Sequence, residues 1–525
     1  GAATASSAGT GLAELLRGLI KNFGVWLAPV VAAVSFASKY LGDAVKTEKT
    51  EKTWKAWTAR LANKALIWIA ALALPLLLWF IYLNLVYWGV MPDKGIEPNR
   101  APAIVAKAVG IVDFMGVKGH PKYAIAYLVI GIAMLALWLL QTPNANSLHR
   151  LYRDRLSKAF AFAMKDNAVE TRDTMRVSEI DVRNAPYHIY NAALNIQGSE
   201  KVNQRGRNAD LFHFGPRYSG SELTGYVRTP ALEGVDPGFN IATAMAVSGA
   251  AVSSNMGSES IRPLSLTLAL MNFRLGYWTR NPREVHKGRT VTPKIFYLVS
   301  EIFSFLNEES SHIYLTDGGH IENLGIYELL RRRCRVIIAV DAEADPEMNF
   351  PAFVKLQRYA RIDLGIRITL KWDKIRSTSL AAQTGKATLA AGPHCAIGRI
   401  DYSETETGVL IYVKSSVSGD ENDYITDYNR RFEPFPHETT GDQFFSEEQF
   451  EVYRALGFHM MKGLFMGDQN VQTIDEGLQM MKPGAKGFGV DETLELFGLK
   501  SAAPQRAARK SLQKPKSTTR KSRQA

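Results

Sequence analysis

Two long apolar runs interrupt the otherwise mixed pattern of hydrophobic and polar positions along the chain. Residues 65–90 and 123–140 contain no charged side chain. A helix needs about 20 apolar residues to cross a bilayer core, so both runs are long enough. A third stretch, residues 23–41, includes Pro29 and Lys39 and is compatible with a span, an interfacial helix or an ordinary helix. We therefore predict a helical transmembrane region within residues 1–143.

The charges that flank these runs predict their orientation. Lysines and arginines are frequent in residues 43–64 and again in residues 150–158. Positively charged segments next to membrane spans favour the cytoplasmic side. A hairpin of two spans would return the chain to the side on which it began. The sequence therefore predicts a multi-pass membrane protein whose remaining part lies in the cytoplasm.

From residue 144 onward, short β-branched runs alternate with segments of helical periodicity. Strands are predicted at residues 336–340, 367–372 and 409–413. Ser446 and Gln449 form a capping box, which predicts a helix over residues 447–464. Alternating strands and helices are typical of a mainly parallel sheet that is covered on both faces. We predict an α/β region at residues 144–500 and a disordered basic tail at residues 501–525.

The charge distribution narrows the class of partner. The chain has a net charge of +12, and residues 501–525 hold eight Lys or Arg residues and no Asp or Glu. The rest of the chain is only mildly basic, which argues against a nucleic-acid-binding protein. The tail fits a solubilising segment or a polybasic segment that binds anionic lipid. The composition makes no prediction of the oligomeric state.

Cysteine and histidine residues show no metal-binding pattern. Two cysteines in 525 residues exclude a disulfide scaffold, and no Cys or His pair has the spacing of zinc ligands. We therefore predict no metal and no cofactor, with His312, His320 and His437 as structural or surface residues. Asp341 and Asp345 follow a predicted strand and are expected to start a turn or helix, with cation binding as the alternative.

The strongest candidate for chemistry is an acid at the end of a predicted strand. Residues 312–317 read as a strand that ends in Asp317, and Gly318 and Gly319 follow directly. Open α/β sheets place their active sites at the carboxyl ends of strands, and two glycines allow a tight turn and a close ligand. A plain turn fits the same residues. A helix is predicted over residues 322–335.

The segment Asp317-Gly-Gly-His-Ile-Glu-Asn-Leu-Gly325 resembles the aspartate segment of patatin-like phospholipases. Further stretches, at residues 146–156, 216–226 and 244–257, are similar to the bacterial membrane-bound branch of that family. The resemblance implies a patatin-like, mainly parallel sheet with flanking helices and a location in a bacterial inner membrane. It also implies a lipid acyl hydrolase with a Ser–Asp dyad, which acts on a membrane lipid without a cofactor.

Within this resemblance, Asp317 is the catalytic base, and Gly318 and Gly319 shape the site. No Gly-x-Ser-x-Gly elbow occurs in the chain. We therefore expect the nucleophile and the N-terminal half of the fold to lie before Gly1, and we expect this chain alone to be inactive. Ser248 is the alternative nucleophile, although residues 241–247 read as a helix and not as a strand.

Two other functions stay open. The first is a catalytically inactive membrane scaffold of the same fold, which has lost its nucleophile. The second is a membrane-tethered module that binds anionic lipid through its basic tail. Asn255 and Gly257 border the lipid pocket in the hydrolase interpretation and have purely structural roles in the others.

Overall fold

The computed structural model describes most of the chain between residues 103 and 466. The described residues are 75–83, 85–86, 103–116, 121–140, 144, 147–183, 186–200, 202–203, 206–270, 272–287, 295–383, 393–438 and 445–466. They fall into two compact units, of which the first ends at Gly325 and the second begins at Ile326. The predicted basic tail, residues 501–525, lies outside the described residues.

Two apolar helices precede the first sheet. Helix α1 covers Ala103–Phe114 and helix α2 covers Pro121–Leu140. Val109 and Val112 of α1 pack against Ala126 of α2 in a small buried cluster. The small side chain of Ala126 is fully buried there, so the two helices approach each other closely.

The prediction of a transmembrane region is corrected by the structure. In the part of the chain that the structure describes, no helix combines the length and the hydropathy needed to cross a bilayer. The run at residues 123–140 falls within α2, where part of it packs against α1. Residues 23–41 and most of residues 65–90 lie outside the described residues. The predicted multi-pass inner-membrane localisation is corrected by the same finding.

An antiparallel sheet organises the first unit. The strands of this unit are β1 Phe162–Lys165, β2 Ala168–Thr171, β3 Tyr190–Asn195, β4 Ala209–Phe214, β5 Tyr218–Ser221, β6 Gly225–Arg228, β7 Tyr277–Arg280 and β8 His312–Asp317. Strands β1 and β2 form a separate hairpin, and the others form a sheet in the order β6-β5-β4-β3-β8-β7. Every pairing in this sheet is antiparallel.

Helices cover this sheet and complete its core. They are α3 Leu148–Phe160, α4 Thr229–Val235, α5 Ile241–Ser248, α6 Arg262–Leu270 and α7 Ile295–Ile302. Helix α5 begins where the Asn240 side chain accepts a hydrogen bond from the Thr243 amide at 3.0 Å. Its Ala244 and Val247 join the main apolar cluster with Leu315 of β8. Burying a leucine fully stabilises a fold by about 1.5–3 kcal/mol, so this cluster anchors β8 firmly.

The second unit contains a smaller, mixed sheet. Its strands are β9 Val336–Asp341, β10 Arg367–Thr369, β11 Cys395–Asp401 and β12 Thr407–Lys414, and its helices are α8 Tyr327–Arg331, α9 Pro351–Tyr359, α10 Asp373–Gln383, α11 Asp423–Arg431 and α12 Glu447–Met466. The strand order is β10-β11-β12-β9, and β12 and β9 are parallel. Val452 and Leu456 of α12 share an apolar cluster with Val413 of β12.

The prediction of a mainly parallel, patatin-like sheet is wrong. The first unit has an antiparallel sheet, and in the second unit the described pairs are antiparallel except β9 with β12. Connections as short as residues 215–217 and 222–224 explain this difference. Parallel neighbours need a crossover of a dozen or more residues, whereas a few residues suffice for an antiparallel turn.

Several local predictions are confirmed. The strand at residues 312–317 is β8, and residues 336–340 and 409–413 lie in β9 and β12. The helix expected at residues 447–464 is α12, and the Gln449 amide donates to Ser446 Oγ at 3.1 Å. The helix expected at residues 322–335 is shorter than predicted, because α8 begins only at Tyr327.

Candidate active site at the end of strand β8

Asp317 is the last residue of β8, an inner strand of the first sheet. It pairs with Ala192 of β3, and β7 lies on the other side of β8. Its carboxylate accepts a hydrogen bond from the Gly319 amide at 2.7 Å and begins a short 3-10 turn over Gly318–His320. Among the described contacts, this is the only hydrogen bond to that carboxylate.

Steric crowding requires glycine at both positions after Asp317, but the crowding groups differ. A Cβ on Gly318 would lie 2.8 Å from the carbonyl oxygen of Asn191, which belongs to the backbone of β3. A Cβ on Gly319 would lie 2.6 Å from Asn323 Oδ1 and 3.1 Å from Asp317 Oδ1. Gly318 thus permits the close approach of two backbone segments, and Gly319 lets the side chains of Asn323 and Asp317 both lie against its backbone.

Burial changes the acidity of this carboxyl group. Desolvation by burial raises the pKa of Asp317 to about 6, although the hydrogen bond from Gly319 opposes the shift. Tyr152 of α3 lies close enough to interact with it: burial, and next the negative charge of Asp317, raise the pKa of the Tyr152 phenol. Near neutral pH the site therefore pairs a carboxylate of raised basicity with a neutral phenol.

The segment after α5 closes the site on one side. The Asp317 amide donates to the Ala250 carbonyl at 3.4 Å, and a Cβ on Gly249 would lie 2.7 Å from the Tyr152 hydroxyl. His320 is buried and contacts Thr316 Oγ1 at 3.0 Å through Nδ1. The contacts of His320 therefore fit the structural role that the sequence predicts for it.

Ser248 lies at the C-terminal end of α5 and is partly buried. In the described part of the chain, no hydrogen bond joins Ser248 to Asp317. A nucleophile elbow places its serine on a sharp turn from a strand into a helix, whereas Ser248 ends a helix. The helical interpretation of residues 241–247 is confirmed, and the geometry around Ser248 lacks the strand that an elbow requires.

Asn255 and Gly257, the predicted border of a lipid pocket, are held by internal hydrogen bonds. Asn255 Nδ2 donates to the Glu301 carbonyl at 2.9 Å, and its Oδ1 accepts from Ser304 Oγ at 3.1 Å. The Gly257 amide donates to Asn195 Oδ1 at 3.0 Å. Gly257 has a φ of +53°, a left-handed conformation that favours glycine. Both residues thus shape the backbone behind the site.

In the second unit, Asp341 and Asp345 lie near the ammonium group of Lys414. Asp341 Oδ1 lies 3.1 Å from the ammonium of Lys414, which is fully buried. The Asp345 side chain accepts hydrogen bonds from the amides of Asn349 and Phe350. The turn interpretation of these two acids therefore agrees with the structure, because their charges are met by Lys414 and by backbone amides.

A cavity with both aromatic and polar lining residues lies towards the other end of β8. It is lined by residues that include Trp278, Tyr297 and His312. His312 is the first residue of β8 and Asp317 the last, so roughly 17 Å of strand separates them. This cavity is therefore not part of the site at Asp317.

Sequence reasoning assigned no role to Tyr152 or Asn191, which border Asp317 in the structure. Tyr152 lies in the stretch at residues 146–156 that carries part of the family resemblance, so a signal was present there. Asn191 has no such signal, because only strand pairing brings it to Gly318. No family model matches the chain, and no curated protein matches it at a significant level.

Proposed function

We propose that Asp317 is the proton-accepting carboxylate of an acyl ester hydrolase that acts on lipid esters through a serine nucleophile. The observation that carries this proposal is the state of Asp317: partly buried, with one described hydrogen bond and a pKa raised to about 6. General bases work best when their pKa lies near the working pH. The resemblance of the segment Asp317–Gly325 supports a lipid ester as substrate.

The proton balance of the reaction needs no third residue. Asp317 removes the hydroxyl proton of the serine while the serine oxygen bonds to the ester carbonyl carbon. The protonated Asp317 then returns that proton to the departing alcohol, and an acyl-enzyme remains. In the second half, Asp317 takes a proton from water while the water oxygen attacks the acyl carbon. Asp317 then returns that proton to the serine oxygen as the bond between this oxygen and the acyl carbon breaks, which releases the acid and restores both residues.

Labelling with a fluorophosphonate, which reacts covalently with activated serines, tests this function. The full-length protein is labelled, and the modified serine is mapped by mass spectrometry. We expect Asp317→Asn to slow labelling by about 10²–10⁴-fold, which is the usual contribution of a general base. Asp210→Asn is the matched control, because Asp210 is also partly buried in the same sheet with a burial-raised pKa.

Each outcome of the labelling has a defined meaning. Equal labelling rates in the Asp317 and Asp210 variants would remove Asp317 from the chemistry. A label on Ser248 would assign the nucleophile to the end of α5. If folded protein took no label at all, the hydrolase proposal would be overturned in favour of an inactive scaffold.

A further inference from the structure

Four metal-ligating side chains converge in the second unit, although they are far apart in the sequence. His394 precedes β11, Asp420 and Glu421 lie in the loop before α11, and His459 lies on α12. One potential ligand atom from each residue lies within 4.8 Å of the corresponding atoms of the other three. Side chains from three separate segments therefore face one small volume.

The hydrogen bonds of His394 determine which of its ring nitrogens faces the cluster. Its Nδ1 lies 2.9 Å from Ser416 Oγ, and Ser416 Oγ donates its own hydrogen to the Lys414 carbonyl at 3.0 Å. Ser416 Oγ then accepts from Nδ1, which fixes the orientation of the imidazole ring. That Nε2 points into the cluster, 3.1 Å from Ser418 Oγ and 3.7 Å from Asp420 Oδ1.

The other ligand atoms are held in place in the same way. His459 Nε2 lies 3.1 Å from Asp420 Oδ1. The Glu421 carboxylate accepts hydrogen bonds from the Ser418 amide at 2.6 Å and the Gly419 amide at 2.8 Å. Glu421 Oε1 lies 3.8 Å from His394 Nε2. Two imidazole nitrogens and two carboxylates therefore face one another, and a cation between them would be attracted by both carboxylate charges.

We propose that His394, Asp420, Glu421 and His459 form a binding site for one zinc ion. Zinc prefers four ligands in a tetrahedron, and Zn–N and Zn–O bonds of about 2.0–2.1 Å give ligand-to-ligand distances of roughly 3.3 Å. The distances between the His nitrogens and Asp420 Oδ1, 3.1 and 3.7 Å, bracket that value. His394 Nδ1 contacts Ser416 Oγ, which donates to the Lys414 carbonyl. Metal-bound histidines usually have a hydrogen bond of this kind at the ring nitrogen that does not bind the metal.

The cluster lies beside the apolar core of this unit. Cys395 and Met460, which directly follow His394 and His459 in the sequence, belong to that core. His394 is buried, whereas the side chains of Asp420 and His459 are partly exposed, so a cation can reach the cluster from the surface.

A bound zinc ion would join α12 to the loop before α11 and to the segment that leads into β11. We therefore expect zinc to stabilise the second unit. At a free zinc concentration about 100-fold above the Kd, the melting temperature should rise by roughly 5–10 °C. Mg²⁺ and Ca²⁺ should give no such shift, because they prefer sites made wholly of oxygen ligands.

The experiment uses the full chain, stripped with a chelator and dialysed against zinc. The bound metal is measured by elemental analysis, thermal unfolding is recorded with and without zinc, and X-ray absorption reports the ligand distances. We expect one zinc ion per chain, nitrogen and oxygen ligands at about 2.0–2.2 Å, and the thermal shift. Two single variants, His459→Gln and Asp420→Asn, should lose both the zinc ion and the thermal shift. His459 is partly exposed, so replacing it should leave the fold intact.

His437→Gln is the matched control, because His437 is the remaining histidine of this unit and lies outside the cluster. It should bind zinc as the wild type does. The proposal is overturned if the wild type keeps no zinc and shows no zinc-dependent shift, which would leave an ion-pair network of histidines and carboxylates. It is equally overturned if the His459 variant binds zinc as tightly as the wild type.

Discussion

At the scale of single residues, the surroundings of Asp317 explain the raised pKa of this candidate base. Its carboxylate is taken partly out of water at the end of a buried strand, and it receives only one described hydrogen bond in return. Desolvation favours the neutral acid, which is the physical cause of its raised pKa. The ionised side chain therefore destabilises the folded protein, as groups arranged for function often do.

This cost predicts a pH-dependent effect of Asp317→Asn on stability. An Asp in an unfolded chain titrates near 3.9, whereas Asp317 titrates at about 6 in the folded protein. The wild type therefore loses stability as pH rises between these two values, whereas the amide side chain of the variant cannot ionise. We expect the variant to be more stable by about 1–3 kcal/mol at about pH 7.5, with the difference vanishing near pH 4.

Urea unfolding at several pH values measures this difference in the free energy of unfolding. An asparagine side chain can still accept the Gly319 amide through its oxygen, so the turn at Gly318–His320 should remain. A stability difference that stays constant from acid to neutral pH would show that the Asp317 carboxylate is not desolvated in solution.

At the scale of elements, the parallel pair of β9 and β12 has an electrostatic consequence. Its register places Lys414 directly opposite Asp341. Lys414 Nζ bonds to Asp341 Oδ1 at 3.1 Å and to the Glu343 carbonyl at 3.0 Å, and the Tyr412 hydroxyl donates to the same aspartate. Both charged groups are excluded from water, so each depends on the other.

We expect Lys414→Met to destabilise the second unit by about 3–5 kcal/mol, because it leaves the Asp341 carboxylate buried without its cation. Lys371→Met is the control, since Lys371 is exposed. The double variant that also carries Asp341→Asn should recover part of the loss, because no buried charge remains. Denaturant midpoints provide the measurement, and equal midpoints for the Lys414 and Lys371 variants would contradict the prediction.

At the scale of the whole molecule, most of the net charge lies at one end of the chain. Removing residues 501–525 would lower the net charge from +12 to +4. We propose anionic lipid as the partner of this tail. The truncated protein should lose salt-sensitive binding to phosphatidylserine vesicles, since each basic residue near such a surface contributes about 1 kcal/mol. Sedimentation with these vesicles measures the binding, and pure phosphatidylcholine vesicles are the control. Unchanged binding after truncation would show that residues 501–525 are not the segment that binds anionic lipid.

The sequence alone determined those features that depend on neighbouring residues. Alternating and β-branched runs correctly located β8, β9 and β12, and the Ser446 cap correctly began α12. The Asp317-Gly-Gly segment was recognised as a strand end followed by a tight turn, and it is one. These features follow from local sterics and hydrogen bonds, so a short window of sequence contains their cause.

Tertiary structure alone decided the direction of the strands, the packing of the apolar run at residues 123–140 and the composition of both candidate sites. The β9 run looked buried on both faces, but Ile338 and Val340 are exposed. Tyr152 lies near Asp317, and the His394 ring lies near the His459 ring, only because segments that are distant in the sequence pack together. The pKa of Asp317 and the orientation of the His394 ring likewise depend on burial and on hydrogen bonds across the fold. Contacts between residues far apart in the chain leave no spacing pattern in one sequence, which is why the predictions of sheet type and of metal ligands did not contain them.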